Sequence, residues 1–143
     1  MKLINYLMFS GQCEEAIDFY TKKLDAQVLH ISRFNEMPPN DDPACQIPPG
    51  NEDKIMHATL KIGESELMMC DGFEPQQSPF SGFYISIAAD NLAQATQYFE
   101  AIAEQGEVIM PLDETFWAQG FGMVKDKFGL GWMVNFEGDK MNH

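Results

Sequence analysis

The sequence predicts an α+β fold: two βαβββ modules forming a curved mixed sheet with a central cleft, helices outside. Three observations carry this. Short apolar runs bounded by Gly, Asp and Pro recur at strand length along the 143 residues. Two segments, Cys13–Leu24 and Leu92–Glu104, instead place their apolar residues at helical spacing. Each of these is preceded by one strand-like run and followed by three, so the halves share one plan.

The halves also superpose in sequence. Sliding Ala16-Ile17-Asp18-Phe19-Tyr20 onto Ala95-Thr96-Gln97-Tyr98-Phe99 gives an offset of 95 − 16 = 79, and the same offset lays Asn5 on Tyr84. A βαβββ unit leaves one apolar sheet face bare, so two units must pack together or pair with another chain. The expectation is one domain over 1–143, with modules at about 1–73 and 80–137. Residues facing the cleft should then lie near Asn5, Tyr84 and the hairpin strands.

Leu3–Phe9 is a strand, too short and too apolar for a surface helix, and Ser10-Gly11 breaks it. Cys13–Leu24 carries Glu14 and Glu15 early and Lys22 and Lys23 late, the charge order a helix dipole favours. Ala26–Phe34 alternates like a half-buried strand. Asn35–Asp53, rich in proline and acids, reads as a long loop and a candidate lid. Ile55–Ile62 and Glu66–Cys70 make a hairpin about Gly63-Glu64, and Glu74–Pro79 connects the halves.

Phe83–Ala89 opens the second half as a strand. Asp90 or Asn91 can cap the helix Leu92–Glu104, and Gln105-Gly106 ends it. Val108–Met110 is a strand. Gly120–Lys125 and Trp132–Phe136 follow as a hairpin joined at Asp126-Lys127-Phe128-Gly129, and Glu137–His143 is a polar tail.

A formal net charge of −13 repels nucleic-acid phosphates and anionic headgroups, so neither nucleic acid nor membrane is an expected partner. Three cysteines without a C-x-x-C pairing, and no signal-like start, argue against a disulfide framework and for a cytoplasmic protein. No apolar run reaches the ~20 residues of a membrane span.

The residues that could carry chemistry are few. His57 sits in a core-like strand, as a hydrogen-bonded structural histidine or as a general base. Glu114 beside Phe116 and Trp117 is either an exposed strand-end carboxylate or, if it points inward, a desolvated acid with a raised pKa. Phe116 and Trp117 could stack on a planar ligand or fill the core. Cys70 has no cation adjoining it in sequence and reads as structural. Met68, Met69 and Met133 suit either an adaptable cavity wall or plain core. His30 is a weaker inward candidate and His143 belongs to the tail. A metal site from His57, Glu114 and Asp71 is a remote alternative.

The paired βαβββ plan, the Ala16–Tyr20 motif, Glu114-Thr115-Phe116-Trp117, Gly120-Phe121-Gly122, Asp126-Lys127-Phe128-Gly129 and Trp132-Met133-Val134-Asn135 resemble the vicinal oxygen chelate superfamily. Its members include glyoxalases, bleomycin- and fosfomycin-resistance proteins and extradiol dioxygenases. Within it the motifs are similar to the PhnB-like branch, often labelled 3-demethylubiquinone-9 3-methyltransferase-like. The resemblance spans Leu3 to Phe136. It implies a His on the first strand of each half and a Glu on the last strand of each, holding a divalent metal. The corresponding positions are Asn5, Tyr84, Met68 or a neighbour, and Met133; Asn, Tyr and Met side chains do not suit such an ion. The resemblance therefore implies a small-molecule-binding protein without metal or cofactor. Asn5, Met68, Tyr84, Phe116, Trp117 and Met133 would line its pocket. The alternative is an enzyme of altered mechanism using Glu114 or His57 as acid/base. Resembling proteins imply a homodimer.

Overall fold

The computed structural model describes every residue except 39, 40, 44, 45 and 141–143; Cys45, His143 and part of the proline-rich segment thus lie outside the described residues. The chain divides into two compact units, Met1–Ser78 and Pro79–His143.

The first unit runs β1 (Asn5–Phe9), α1 (Cys13–Lys23), β2 (Gln27–Arg33), β3 (Ile55–Ile62) and β4 (Ser65–Asp71). Its sheet has the order β1-β4-β3-β2, with β1 parallel to β4 and the other pairs antiparallel. Leu7 and Phe9 of β1, Leu67 and Met69 of β4, and Ala58 and Leu60 of β3 alternate onto one buried face. Cys13, Ala16, Ile17 and Tyr20 of α1 are buried as well, the stripe a helix lays on a sheet. Gln12 gives α1 no side-chain cap. The Asp71 carboxylate takes that place, accepting the N–H groups of Gly11 at 2.7 Å and Cys13 at 3.1 Å, and also that of Ile55 at 3.1 Å. Gly11, at φ 101°, turns the chain there as only glycine does without strain.

The second unit repeats the plan with β5 (Ile85–Ala88), α2 (Leu92–Ala103), β6 (Glu107–Asp113), β7 (Gly120–Lys125) and β8 (Gly131–Phe136), in the order β5-β8-β7-β6. Of the two cap candidates, Asn91 is the one used: its side chain accepts Gln94 N–H at 2.8 Å. Gln105, at φ 60°, ends the helix. The β7–β8 turn is locked by Asp126, whose Oδ1 accepts from Phe128 and Leu130 at 2.9 and 3.0 Å and whose Oδ2 accepts Trp132 Nε1–H at 2.9 Å. Val124, Trp132 and Val134 face inward with Ala95, Phe99 and Ile102 of α2.

One expectation needs correcting. The offset of 79 holds for the helices, where buried Ala16 and Tyr20 match buried Ala95 and Phe99. In the first strands the parity differs: Leu7 of β1 pairs with buried Met69, and Ile85 and Ile87 of β5 pair with buried Trp132 and Val134, so the odd residues of both strands share the helix side and the offset there is even. Side chains alternate along a strand, so a one-residue slip turns every one of them over. Asn5 therefore shares the face of Leu7 and Phe9, and it is Tyr6, not Asn5, that has the parity of Tyr84.

Candidate functional site

Alternation fixes what stands on the face of the first sheet turned away from α1. Register pairs Tyr6 with Met68 and Met8 with Cys70 across β1 and β4. It pairs Thr59 with Met68 across β3 and β4, and His30 with Thr59 and Ser32 with His57 across β2 and β3. One apolar strand face thus carries a phenol, two imidazoles, two hydroxyls, a thiol and two thioethers.

These groups are connected. The Tyr6 hydroxyl lies 3.0 Å from His57 Nδ1, and His57 Nε2 lies 3.1 Å from Thr59 Oγ1. In the Nε2–H tautomer, Tyr6 donates to Nδ1 and His57 donates to Thr59, which gives an unbroken relay. The Tyr6 and His57 rings lie 5.7 Å apart, and the His30 ring is 5.8 Å from that of His57. Burial, with the neighbouring Cys70 and Cys13 adding to it, pushes the Tyr6 pKa up to about 12, so the phenol stays protonated and remains a donor. Cys70 donates its S–H to Met8 Sδ at 3.3 Å. Burial raises its pKa also, against a hydrogen bond from Tyr6 that lowers it. Ser32 Oγ, on the strand beside His57, is buried and has no hydrogen-bond partner among the described residues.

The second unit presents a more aromatic face. A side-chain carbon at Gly131 would stand 2.7 Å from the Tyr84 ring, so the glycine makes room for that ring. Met133 pairs with Ser86 on one side and Met123 on the other. Phe121 pairs with Asn135, whose Oδ1 is a second buried oxygen without a partner among the described residues. Trp117 sets its ring edge-on against Phe121 at 5.2 Å and Phe116 at 4.9 Å. Thr115 holds this loop by accepting Trp117 N–H at 3.3 Å and Ala118 N–H at 3.1 Å.

The remaining sequence candidates fall as follows. Glu114 stands at solvent, its side chain 65% exposed and paired with Lys140 at 3.0 Å, rather than desolvated beside Phe116 and Trp117. It follows the last residue of β6, where the chain leaves the sheet. Phe116 is 85% exposed and Trp117 half-buried. His57 and Met68 are in the first unit, and Tyr84, Glu114, Phe116, Trp117 and Met133 in the second. The pairing of His57 with Asp71 is corrected: Asp71 is on the face of Leu67 and Met69, opposite His57, and its oxygens are taken by backbone N–H groups. Among the described residues, no group of three or more His, Cys, Asp or Glu could hold an ion. Phenols and thioethers at Tyr6, Tyr84, Met68 and Met133 do not fit a hard divalent metal.

Tyr6, Thr59 and Ser32 were not singled out by sequence, and Phe121 and Asn135 entered only as members of the motifs that carry the resemblance. Leu3–Phe9 is apolar throughout, so nothing in it marks which residues face the helix. The signal that could have found Tyr6 is the strand's own anchoring: Phe9 must reach the core beside the Asp71-bound turn, which turns Tyr6 outward.

Known proteins agree with this architecture. The model for the Glyoxalase/Bleomycin resistance protein/Dioxygenase superfamily matches residues 2–134. The chain is 37% identical over 139 residues to Protein YjdN of Escherichia coli K12, covering 94% of this chain and 95% of that one. The crystal structure of protein PA1353 from Pseudomonas aeruginosa is 39% identical, covers 96% of this chain and 98% of its own, and superposes with a TM-score of 0.81. A putative 3-demethylubiquinone-9 3-methyltransferase, PhnB protein, from Bacillus cereus is 28% identical, covers 95% and 99%, and gives a TM-score of 0.77. With both βαβββ units but for the last two residues of β8 inside the matched span, the chain belongs to the Glyoxalase/Bleomycin resistance protein/Dioxygenase superfamily.

Proposed function

We propose that the chain is a small-molecule-binding protein of this superfamily in which the usual metal-ligand positions have been replaced. The ligand is an oxygenated organic compound, met by Tyr6, His57 and Met68 on the first sheet. The observation that carries this is the Tyr6–His57–Thr59 chain beside the unpartnered Ser32 hydroxyl. A ligand hydroxyl donates to the Tyr6 oxygen, whose own proton is given to His57, and a buried hydroxyl without a partner is costly until a ligand supplies one. Within the second unit, we propose Tyr84, Met133, Phe116 and Trp117 as a surface for apolar and ring contacts of its own. Asn5, on the helix-side face, is the member of the expected lining with the least geometric support.

The test is a thermal-shift screen of oxygenated metabolites against the wild type and Tyr6→Phe. A true ligand raises the melting temperature, and its affinity falls about threefold to tenfold in the variant, the worth of one hydrogen bond. Hits bound equally by both proteins would remove Tyr6 from the site.

A second reading is an enzyme of altered mechanism. The Tyr6–His57 hydrogen bond favours His57 as its acid/base, oriented by Thr59, over Glu114, which is engaged with Lys140. Turnover of any hit, lost in His57→Gln with binding retained, supports it; turnover unchanged in that variant excludes His57. We also propose a homodimer. Val28, Leu29 and Ile31 stand exposed on the edge strand β2, and Val108, Ile109 and Met110 on the edge strand β6.

A further inference from the structure

The sulfur pair of Cys70 and Met8 is used by neither reading above. Two sulfurs on paired strands lie 3.3 Å apart, one a thiol and one a thioether, with Met68 on the same face two residues before Cys70. Cys70 is 7% exposed, whereas Met8 is 53% exposed, so the thioether forms the mouth and the thiol the floor. The groups that act on the Cys70 thiol are an acid and a phenol. Its neighbours are Asp71, which disfavours the thiolate, and the Tyr6 hydroxyl, which favours it. That is a poor setting for a nucleophile, but thiolate with thioether is a donor set selective for soft monovalent metal.

We propose that Cys70, Met8 and Met68 form a binding site for a soft monovalent cation, copper(I) in chemical class. Binding breaks the Cys70 S–H bond and forms a sulfur–metal bond; the proton passes to solvent, and no electron is transferred. With metal–sulfur bonds of about 2.3 Å, a three-coordinate ion needs its sulfurs roughly 4 Å apart. Opening the pair to that distance takes a rotamer change of Met8, whose half-exposed, unbranched side chain has room for it. The same atoms are ill suited to zinc, since a closed zinc site wants four ligands of thiolate, imidazole or carboxylate type. The nearest imidazole, His57, is occupied by Tyr6 and Thr59.

The experiment is an anaerobic competition between the full chain and a chromophoric copper(I) chelator. It is done on a Cys45→Ser background, which leaves Cys70 and the fully buried Cys13 as the remaining thiols. The expected result is withdrawal of one equivalent of copper(I) per chain. Cys70→Ser should abolish it, and Met8→Leu, a volume-conserving change at a half-exposed position, should weaken it by at least tenfold. Circular dichroism confirms that each variant is folded; should Cys70→Ser unfold, Met8→Leu decides alone. No withdrawal by the parent chain, withdrawal undiminished in Cys70→Ser, or unchanged affinity in Met8→Leu each overturns the proposal. None of these outcomes depends on whether an organic ligand is found.

Discussion

At the scale of single residues, Tyr6 is the side chain on which most of the chemistry turns. It is bonded to His57, it lies beside Cys70, and it is raised in pKa to about 12 from 10.0 chiefly by burial. Tyr6 is therefore expected to ionise late. A spectrophotometric titration of tyrosinate near pH 12 should have a smaller amplitude, by one group, in Tyr6→Phe than in the wild type. The linkage has a definite sign. Between pH 10 and pH 12 the folded chain keeps a proton that the unfolded chain has released, so stability falls across that window and levels off above it. Tyr6→Phe should flatten the decline. None of this was legible in Leu3–Phe9: a run without polar alternation contains no record of its own parity, and the partner histidine is 51 residues away. His57, by contrast, was legible as a candidate because an imidazole inside an apolar strand is conspicuous, though its hydrogen-bonding partners were not.

Among the elements, the helices and hairpins were the most readable, because their signals are local. Asn91 before an apolar-periodic segment is a cap, and its side chain does accept Gln94 N–H. Asn91→Ala should cost about 1 kcal/mol in chemical denaturation. The Asp126–Gly129 turn was likewise visible in sequence, though the reach of Asp126 to Trp132 Nε1 was not, since it depends on the strand register beyond the turn. Gly122 was noticed as part of a motif, but its reason is tertiary. A side-chain carbon there would sit 2.6 Å from the Phe99 ring and 3.0 Å from Leu112 N, so the glycine lets α2 lie close on β7. Gly122→Ala is expected to destabilise the second unit by about 1–3 kcal/mol through overpacking, read from the shift in denaturation midpoint. Were the stability unchanged, α2 would have to be free to lift from the strand.

For the whole molecule, each unit has its own sheet, helix and core, as the shared plan of the two halves implied. Among the described residues, no helix is long and apolar enough to cross a membrane. The bare apolar edges on β2 and β6 underlie the dimer proposal. Sedimentation equilibrium should return twice the chain mass of 16.2 kDa, whereas a value of one chain mass would end that proposal. Asp71 has a further consequence. Its two oxygens hold the amides of Gly11, Cys13 and Ile55, the first of them 60 residues from Asp71 in sequence. Those amides have no independent way to open. In native-state hydrogen exchange the three should exchange at one common rate set by a single opening of the first unit, and in Asp71→Asn they should exchange faster together while the amides of α2 keep their protection.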